Sequence, residues 1–326
     1  MKKKLALVTG GLSGEAQISY KSAVTVGNHI DRNQYDVYKI DINATGWWYE
    51  DATGNKFAVD KNDFSVMDGG IKINFDIALI CIHGTPGEDG KLQGYFDLLG
   101  MRYTSCDAAT SAITMNKGYT VAVVASGGIN TAKSMHLFQH TPIATDTILN
   151  QLKLPLFVKP NNGGSSIGMS KVVAADQLAA ALKKAFREDD QILVEEFISG
   201  REFTIGVFKE KNTITILPIT EISTENDFFD FEAKYQGKST EITPAIITEQ
   251  MQTELSDAAK RVYEILNCRG IVRIDFIYDT TQQKPYILEV NTVPGQSDAS
   301  VIPQQVRAMG MSLTDFYSAV IEQAFT

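Results

Sequence analysis

Apolar and polar positions follow two rhythms along the first hundred residues. Lys4–Thr9 is a short apolar run closed by Gly10 and Gly11, and residues 15–31 place Ile18, Ala23, Val26 and Ile30 near helical spacing. Tyr35–Ile42 reads as a second strand and Phe75–Ile82 as a buried one. Strands and helices in alternation predict a parallel sheet covered by helices. Residues 106–190 form a different block. It holds a helix from Ala108 to Ser126 closed by Gly127 and Gly128, and a strand Leu154–Lys159 feeding a glycine-serine loop. A strand Met169–Val173 and a helix starting at Asp176, its predicted N-cap, complete it. From Gln191 onward strands dominate: Ile192–Phe197, Glu202–Phe208, Thr213–Thr220, Gly270–Tyr278 and Pro285–Asn291, with a helix over 248–266. The polar segment from Glu221 to Pro244 has no clean period and reads as a functional lid. The expectation is an α/β protein of three domains, 1–105, 106–194 and 195–326.

Composition narrows the function classes. The 326 residues carry 39 Asp and Glu against 30 Lys and Arg, a net charge of −9. That balance weighs against nucleic acid as a partner but leaves room for one local basic site. Behind the basic Met1–Lys4 the apolar run is only Leu5–Val8. A signal peptide needs roughly 7–15 apolar residues and a membrane helix about 18, so a cytoplasmic protein without membrane attachment is expected. Cys81, Cys106 and Cys268 are odd in number and far apart, which predicts buried, reduced thiols. The four histidines form no zinc motif.

Four places carry candidate chemistry. Gly10, Gly11 and Gly14 sit between a strand and a helix, but their G-G-x-x-G spacing departs from the dinucleotide fingerprint. Glu15 at the helix start would repel a pyrophosphate; it is either a helix-start charge or a ligand for something cationic. Gly237-Lys238-Ser239 imitates the end of a phosphate loop, yet Glu232 stands where its first glycine belongs. In FVKPNNGGSSIG, Lys159 ends an apolar strand and faces a loop whose exposed N–H groups and hydroxyls suit an anion, so a phosphate-covering hairpin competes with a flexible turn. In GIVRIDFIYD and PYILEVN, strand alternation puts Arg273 with Asp275 and Glu289 with Asn291. Paired as a hairpin, these strands converge two carboxylates and an amide. That set suits Mg²⁺ or Mn²⁺ on phosphate oxygens, the alternative being a cross-strand ion pair. His83-Gly84-Thr85-Pro86-Gly87-Glu88-Asp89-Gly90 follows the carboxyl end of a buried strand, where α/β sheets gather ligands.

These motifs together resemble the D-alanine–D-alanine ligases of the ATP-grasp superfamily from Gly10 to Gly310. The likeness is carried by GGLSGEAQIS, HGTPGEDGKLQG, VKPNNGGSSIG, EEFISGREF, EAKY, RIDF, LEVNTVPG and SVIP. It implies an ATP-grasp fold behind an N-terminal Rossmann-like parallel-sheet domain. It also implies ligation of two D-alanines through a D-alanyl phosphate for peptidoglycan precursor synthesis. On the nucleotide side, the resemblance implies that Lys117, Lys159 and Ser166 bind ATP phosphates. Glu195, Glu196 and Ile198 would face adenine, Glu202 would hold the ribose, and Lys234 would reach the γ-phosphate. Asp275, Glu289 and Asn291 would ligate two Mg²⁺ ions. On the substrate side, Glu15 would bind the first ammonium with His83 nearby, and Ser165 and Tyr235 would link to Glu15. Arg273 and the Gly295 N–H would form an oxyanion hole, and Ser300 and Val301 would receive the second D-alanine. A homodimer is expected. Asn116 stands where the family often has aspartate, and Ala16 where a long polar residue is common; neither carries an implied role. Tyr235 in EAKY favours dipeptide formation over D-lactate or D-serine as the second substrate. A nucleotide-binding regulatory module and a nicotinamide-dependent dehydrogenase are the rivals from other classes.

Overall fold

The computed structural model describes residues 2–164, 167–210, 212–224 and 239–326. The N-terminal sheet is built from β1 (Lys3–Gly10), β2 (Tyr35–Asn43), β3 (Gly46–Glu50), β4 (Lys56–Asp60), β5 (Ser65–Asp68), β6 (Ile71–Ile73) and β7 (Ile77–Ile80). Helices α1 (Ala16–His29) and α2 (Lys91–Leu99) accompany it. Its order is β6-β5-β4-β3-β2-β1-β7. Only β2, β1 and β7 pair in parallel; β3 to β6 extend the sheet by antiparallel hairpins. The expected parallel sheet is therefore its core, and the hairpin strands, with polar and apolar residues mixed, were not legible as strands.

The next elements are α3 (Ala108–Met115), α4 (Lys117–Ser126), β8 (Ser134–Phe138), α5 (Thr145–Gln151), β9 (Leu156–Pro160), β10 (Ser170–Val172), α6 (Leu178–Ala185) and β11 (Gln191–Glu196). The four strands form an antiparallel sheet in the order β10-β9-β11-β8. The helix expected over 108–126 is two helices. Asn116 interrupts it with an extended backbone, and its side chain caps the second helix by accepting from the Tyr119 N–H. Asp176 is not the N-cap of α6, a correction: it lies in a short 3₁₀ turn over Ala175–Gln177. The Gln177 carboxamide oxygen takes the free Val173 and Ala174 N–H groups instead.

The last block comprises β12 (Arg201–Glu210), β13 (Thr213–Ile216), β14 (Thr220–Thr224), β15 (Ser239–Ile242), α7 (Glu249–Ile265), β16 (Val272–Asp279), β17 (Lys284–Asn291), α8 (Val301–Ala308) and α9 (Leu313–Gln323). Its sheet runs β15-β14-β12-β16-β17, with β13 also pairing β12. The single strand expected over Thr213–Thr220 is split between β13 and β14. Helix α7 packs Leu255, Ala259 and Val262 onto this sheet, and Val124 of α4 and Ile129 join the same core.

The lobes are fused unevenly. Phe316, Tyr317, Val320 and Ile321 of α9 sit in one cluster with Leu5 and Leu7 of β1, Ile77 and Leu79 of β7, and Phe208 of β12. That helix thus joins the core of the N-terminal lobe to that of the C-terminal sheet. The central sheet has its own core, Val158, Val172, Leu178, Ile192 and Val194 among it. The cut expected at 194 falls inside β11. Among the described residues no helix is long and apolar enough to cross a membrane.

Candidate active site

Strand register brings the charged residues together. On the central sheet Glu195 pairs opposite Phe157, two residues before Lys159 and on the same face. The Lys159 ammonium therefore reaches Glu195 Oε1 at 2.5 Å, with both residues buried. Lys117 opens α4 and donates from Nζ to the Gly163 carbonyl at 2.6 Å, with Glu289 Oε2 3.9 Å away. A polar hub fixes that helix start. Gln191 Oε1 accepts from Asn116 Nδ2, His136 Nε2 and Asn161 Nδ2, while Asn161 Oδ1 takes the Gly118 N–H at 2.6 Å.

On the C-terminal sheet Asp275 pairs directly with Glu289, and Arg273 with Asn291. A bulge beyond Asp275 leaves Leu288 without a counterpart in that register. Arg273 grips Asp275 with Nε at 2.9 Å and Nη2 at 2.8 Å, and Glu289 Oε1 lies 3.9 Å from Nη2. Burial pulls the guanidinium pKa down, but Asp275 above all, with Glu289 and Glu88 behind it, raises it overall. On the other side Thr204 of β12, which pairs with Asp275, donates its hydroxyl to Asp275 Oδ1. Asn291 Nδ2 completes the set at 3.4 Å from Oδ2.

The N-terminal lobe adds Glu15. Its backbone N–H is held by Ser13 Oγ, and its carboxylate lies close to two glycines: a Cβ on Gly84 would come 2.8 Å from Oε2, and one on Gly164 3.0 Å from Oε1. Ile18, one of the apolar residues at helical spacing in α1, lines the cavity. Ser19 and Ser22 are buried in α1 because they bond His83. His83 Nδ1 meets the Val293 carbonyl at 2.7 Å, which can only accept, so the proton sits on Nδ1. Its Nε2 then accepts from Ser22 Oγ, whose oxygen in turn takes the Gln296 N–H. Burial pushes His83 down to about 4, with Arg273 contributing, and it is neutral near pH 7. Glu88 accepts the Gly84 N–H at 2.7 Å and the Val293 N–H at 3.2 Å. Burial pushes its carboxyl up to about 7, with Glu15 adding to the rise.

These walls enclose a cavity of about 1400 Å³ lined by Glu15, Lys117, Lys159, Glu195, Ile198, Glu202, Asp275 and Glu289 among others. A recess of about 50 Å³ shares Glu15, Lys117 and Glu289 and adds Asn291 and Glu88. Eight of the described residues to which the resemblance gives a role therefore share the cavity wall. Glu196 departs from expectation: its Oε1 accepts the Lys153 N–H, which draws that carboxylate away from the cavity-lining set. Gly295, Ser300 and Val301 group at the start of α8, where a Cβ on Gly295 would come 2.9 Å from Ser300 Oγ and that hydroxyl bonds Ser297. Ser165, Ser166, Lys234 and Tyr235 lie outside the described residues. Thr204, Ser22 and the Gln191–Asn161 hub were not singled out from sequence. A hydroxyl inside the otherwise apolar stretch FTIGVF was the available signal for the first.

An N-terminal α/β lobe followed by two antiparallel sheets, with Lys159 on one and paired carboxylates on the other facing a common cavity, defines the ATP-grasp fold. Comparison with known proteins agrees. Residues 4–106 match the family description D-ala D-ala ligase N-terminus, and residues 123–322 match D-ala D-ala ligase C-terminus. The D-alanine–D-alanine ligase of Flavobacterium johnsoniae is 45% identical over 320 residues, covering 98% of each chain. The crystal structure of the VanG D-Ala:D-Ser ligase from Enterococcus faecalis superposes with a TM-score of 0.90 at 30% identity, covering 99% of this chain and 100% of that one. The D-alanine–D-alanine ligase from Bacillus anthracis complexed with ATP superposes with a TM-score of 0.79 at 26% identity, over 99% of this chain and 97% of that one. The chain belongs to the D-alanine–D-alanine ligase family, and it is a ligase.

Proposed function

We propose that the protein joins two D-alanine molecules into D-alanyl-D-alanine, with ATP converted to ADP and phosphate. The observation that carries this reading is the register of β16 and β17, which sets Asp275 against Glu289 beside Arg273 and within reach of Lys117. In the first step a carboxylate oxygen of one D-alanine attacks the γ-phosphorus and ADP leaves. The amine of the second then attacks the acyl carbon and expels phosphate. Lys117 and Lys159 neutralise phosphate charge in this reading, joined by Ser166 and Lys234. Glu195 and Ile198 face the adenine, with Glu196 outside the cavity wall, and Glu202 takes the ribose. Glu15 holds the first ammonium, with Ser165 and Tyr235 linked to it. His83 supports that site from behind, since both its ring nitrogens already have protein partners. Arg273 and the Gly295 N–H take the developing oxyanion, and Ser300 and Val301 seat the second D-alanine.

No group of three or more His, Cys, Asp or Glu able to hold a metal exists among the described residues. The donors that are present, Asp275, Glu289 and Asn291, are hard oxygen ligands that leave coordination for phosphate oxygens, which fits Mg²⁺ or Mn²⁺. When bound, such ions neutralise phosphate charge. The same proposal includes three domains, 1–105, 106–194 and 195–326, a homodimer, and action in the cytoplasm.

A second reading takes D-serine as the second substrate, favoured by the likeness to a D-Ala:D-Ser ligase, or D-lactate. ADP release with D-alanine alone, against D-alanine plus D-lactate, D-serine or L-alanine at neutral pH, separates the two. Faster release with D-lactate or D-serine present overturns the dipeptide reading. Glu289→Gln should abolish ADP release while the protein stays folded; unchanged turnover sinks the metal assignment.

A further inference from the structure

The Val293 peptide is held on both sides by one loop from the other end of the chain. Glu88 accepts its N–H and the His83 ring donates to its carbonyl, across sequence separations of 205 and 210 residues. Three residues further on, the Gln296 N–H is taken by Ser22 Oγ, and Tyr317 Oη donates to the Gln296 side chain at 3.1 Å. The turn between these two anchored peptides contains Gly295. Glu88 uses its two oxygens separately, one for Val293 and one for Gly84, the residue on which a Cβ would meet the Glu15 carboxylate.

We propose that Glu88 is a positioning residue: by bridging Gly84 and Val293 it sets the distance between the Glu15 side of the site, on the N-terminal lobe, and the Gly295 turn, on the C-terminal lobe. The inference rests on the reaction proposed above. The Gly295 N–H serves the tetrahedral adduct only if it points at the developing oxyanion, and removing one such donor costs about 10²–10³ in rate. A carboxylate can accept from two N–H groups, whereas an amide has one oxygen and turns its own N–H₂ against the second donor. Glu88→Gln therefore releases one end of the bridge at nearly constant volume. Ser22→Ala loosens the neighbouring anchor at Gln296 more mildly.

A displaced donor slows aminolysis of the acyl phosphate more than its formation, so water competes for the intermediate. The test measures ADP and D-alanyl-D-alanine together in the same reaction, with saturating D-alanine and Mg²⁺. The unaltered protein should give one ADP per dipeptide. Glu88→Gln should lower dipeptide formation about ten- to a hundredfold, with a ratio of ADP to dipeptide of about two or more and a KM for ATP within about twofold of the parent. Ser22→Ala should move the ratio the same way by less. The inference is overturned if both variants keep a ratio of one, whether or not rate is lost, or if the KM for ATP rises with the loss of rate. Should Glu88→Gln fail to fold, Ser22→Ala alone decides by the same ratio. Failure of the underlying reaction looks different: the unaltered protein would then release no ADP in response to D-alanine.

Discussion

The two titratable groups that hold Val293, His83 buried and Glu88 partly buried, should oppose one another in the pH dependence of stability. His83 lies at about 4 in the folded chain against an ordinary 6.5. Between those values the unfolded chain binds a proton that the folded one refuses, so this group makes stability rise with pH. The span is worth about 3 kcal/mol at 1.36 kcal/mol per pKa unit. Glu88 lies at about 7 against an ordinary 4.5. Between those values the folded chain keeps a proton that the unfolded one loses, so stability falls with pH by a similar amount, about 3 kcal/mol. From pH 4.5 to 6.5 the two slopes cancel. Removing either partner should expose the other. His83→Asn should lose stability relative to the unaltered protein by about 1.4 kcal/mol per pH unit as pH rises through that window. Glu88→Gln should gain at the same rate. Urea unfolding at pH 4.5, 5.5 and 6.5 reads this through the fluorescence of Trp47 and Trp48, which sit on β3 of the lobe that carries both groups. Variant and parent curves that stay parallel within about 0.5 kcal/mol across the window would refute the assignment of both groups as desolvated partners of Val293.

Three further outcomes follow from packing and polar contacts. Thr204→Val keeps the shape but removes the hydroxyl donated to Asp275; it should raise the Mg²⁺ concentration for half-maximal ADP release and cost about 1–3 kcal/mol in urea unfolding, and no change in either speaks against that contact. Gly206→Ala builds a Cβ 2.6 Å from Leu217 Cδ1 and 2.7 Å from both Gln305 Oε1 and Ile302 Cδ1, so it should destabilise by about 1–3 kcal/mol, measured as a lower urea midpoint at unchanged m. Phe316→Ala, in a fully buried position shared by two sheets, should cost about 3–5 kcal/mol and lower protection from amide exchange in β1 and β12 alike; loss confined to one of these strands contradicts the shared core.

What was legible in the sequence is what short-range periodicity carries. Strand alternation fixed the shared face of Arg273 and Asp275 and that of Glu289 and Asn291, and the short connection between the strands paired them correctly. Lys159 announced itself in the same way, at the end of an apolar strand, whereas Lys117 was marked only by the family resemblance. Illegible were features whose cause lies elsewhere in the chain. Nothing local says that Ser19 and Ser22, on the inner face of α1, are buried because a histidine more than sixty residues away bonds them. The β3–β6 hairpins escaped detection because their apolar residues, among them Trp47, Phe57 and Phe64, are spread through polar neighbours and meet only in the folded aromatic cluster. Glu196 was placed beside Glu195 by motif alone, but consecutive strand residues point to opposite faces, so only one of the two belongs to the cavity wall. The same rule explains why the bulge matters. Without an extra residue at Leu288, Glu289 could pair with Asp275 only if the strand beyond it, from Ile287 to Lys284, turned its apolar side outward. The bulge lets the cavity face and the core face be correct at once. It shows how a sheet buries Ile287 and Phe276 in the core while turning two carboxylates toward the cavity.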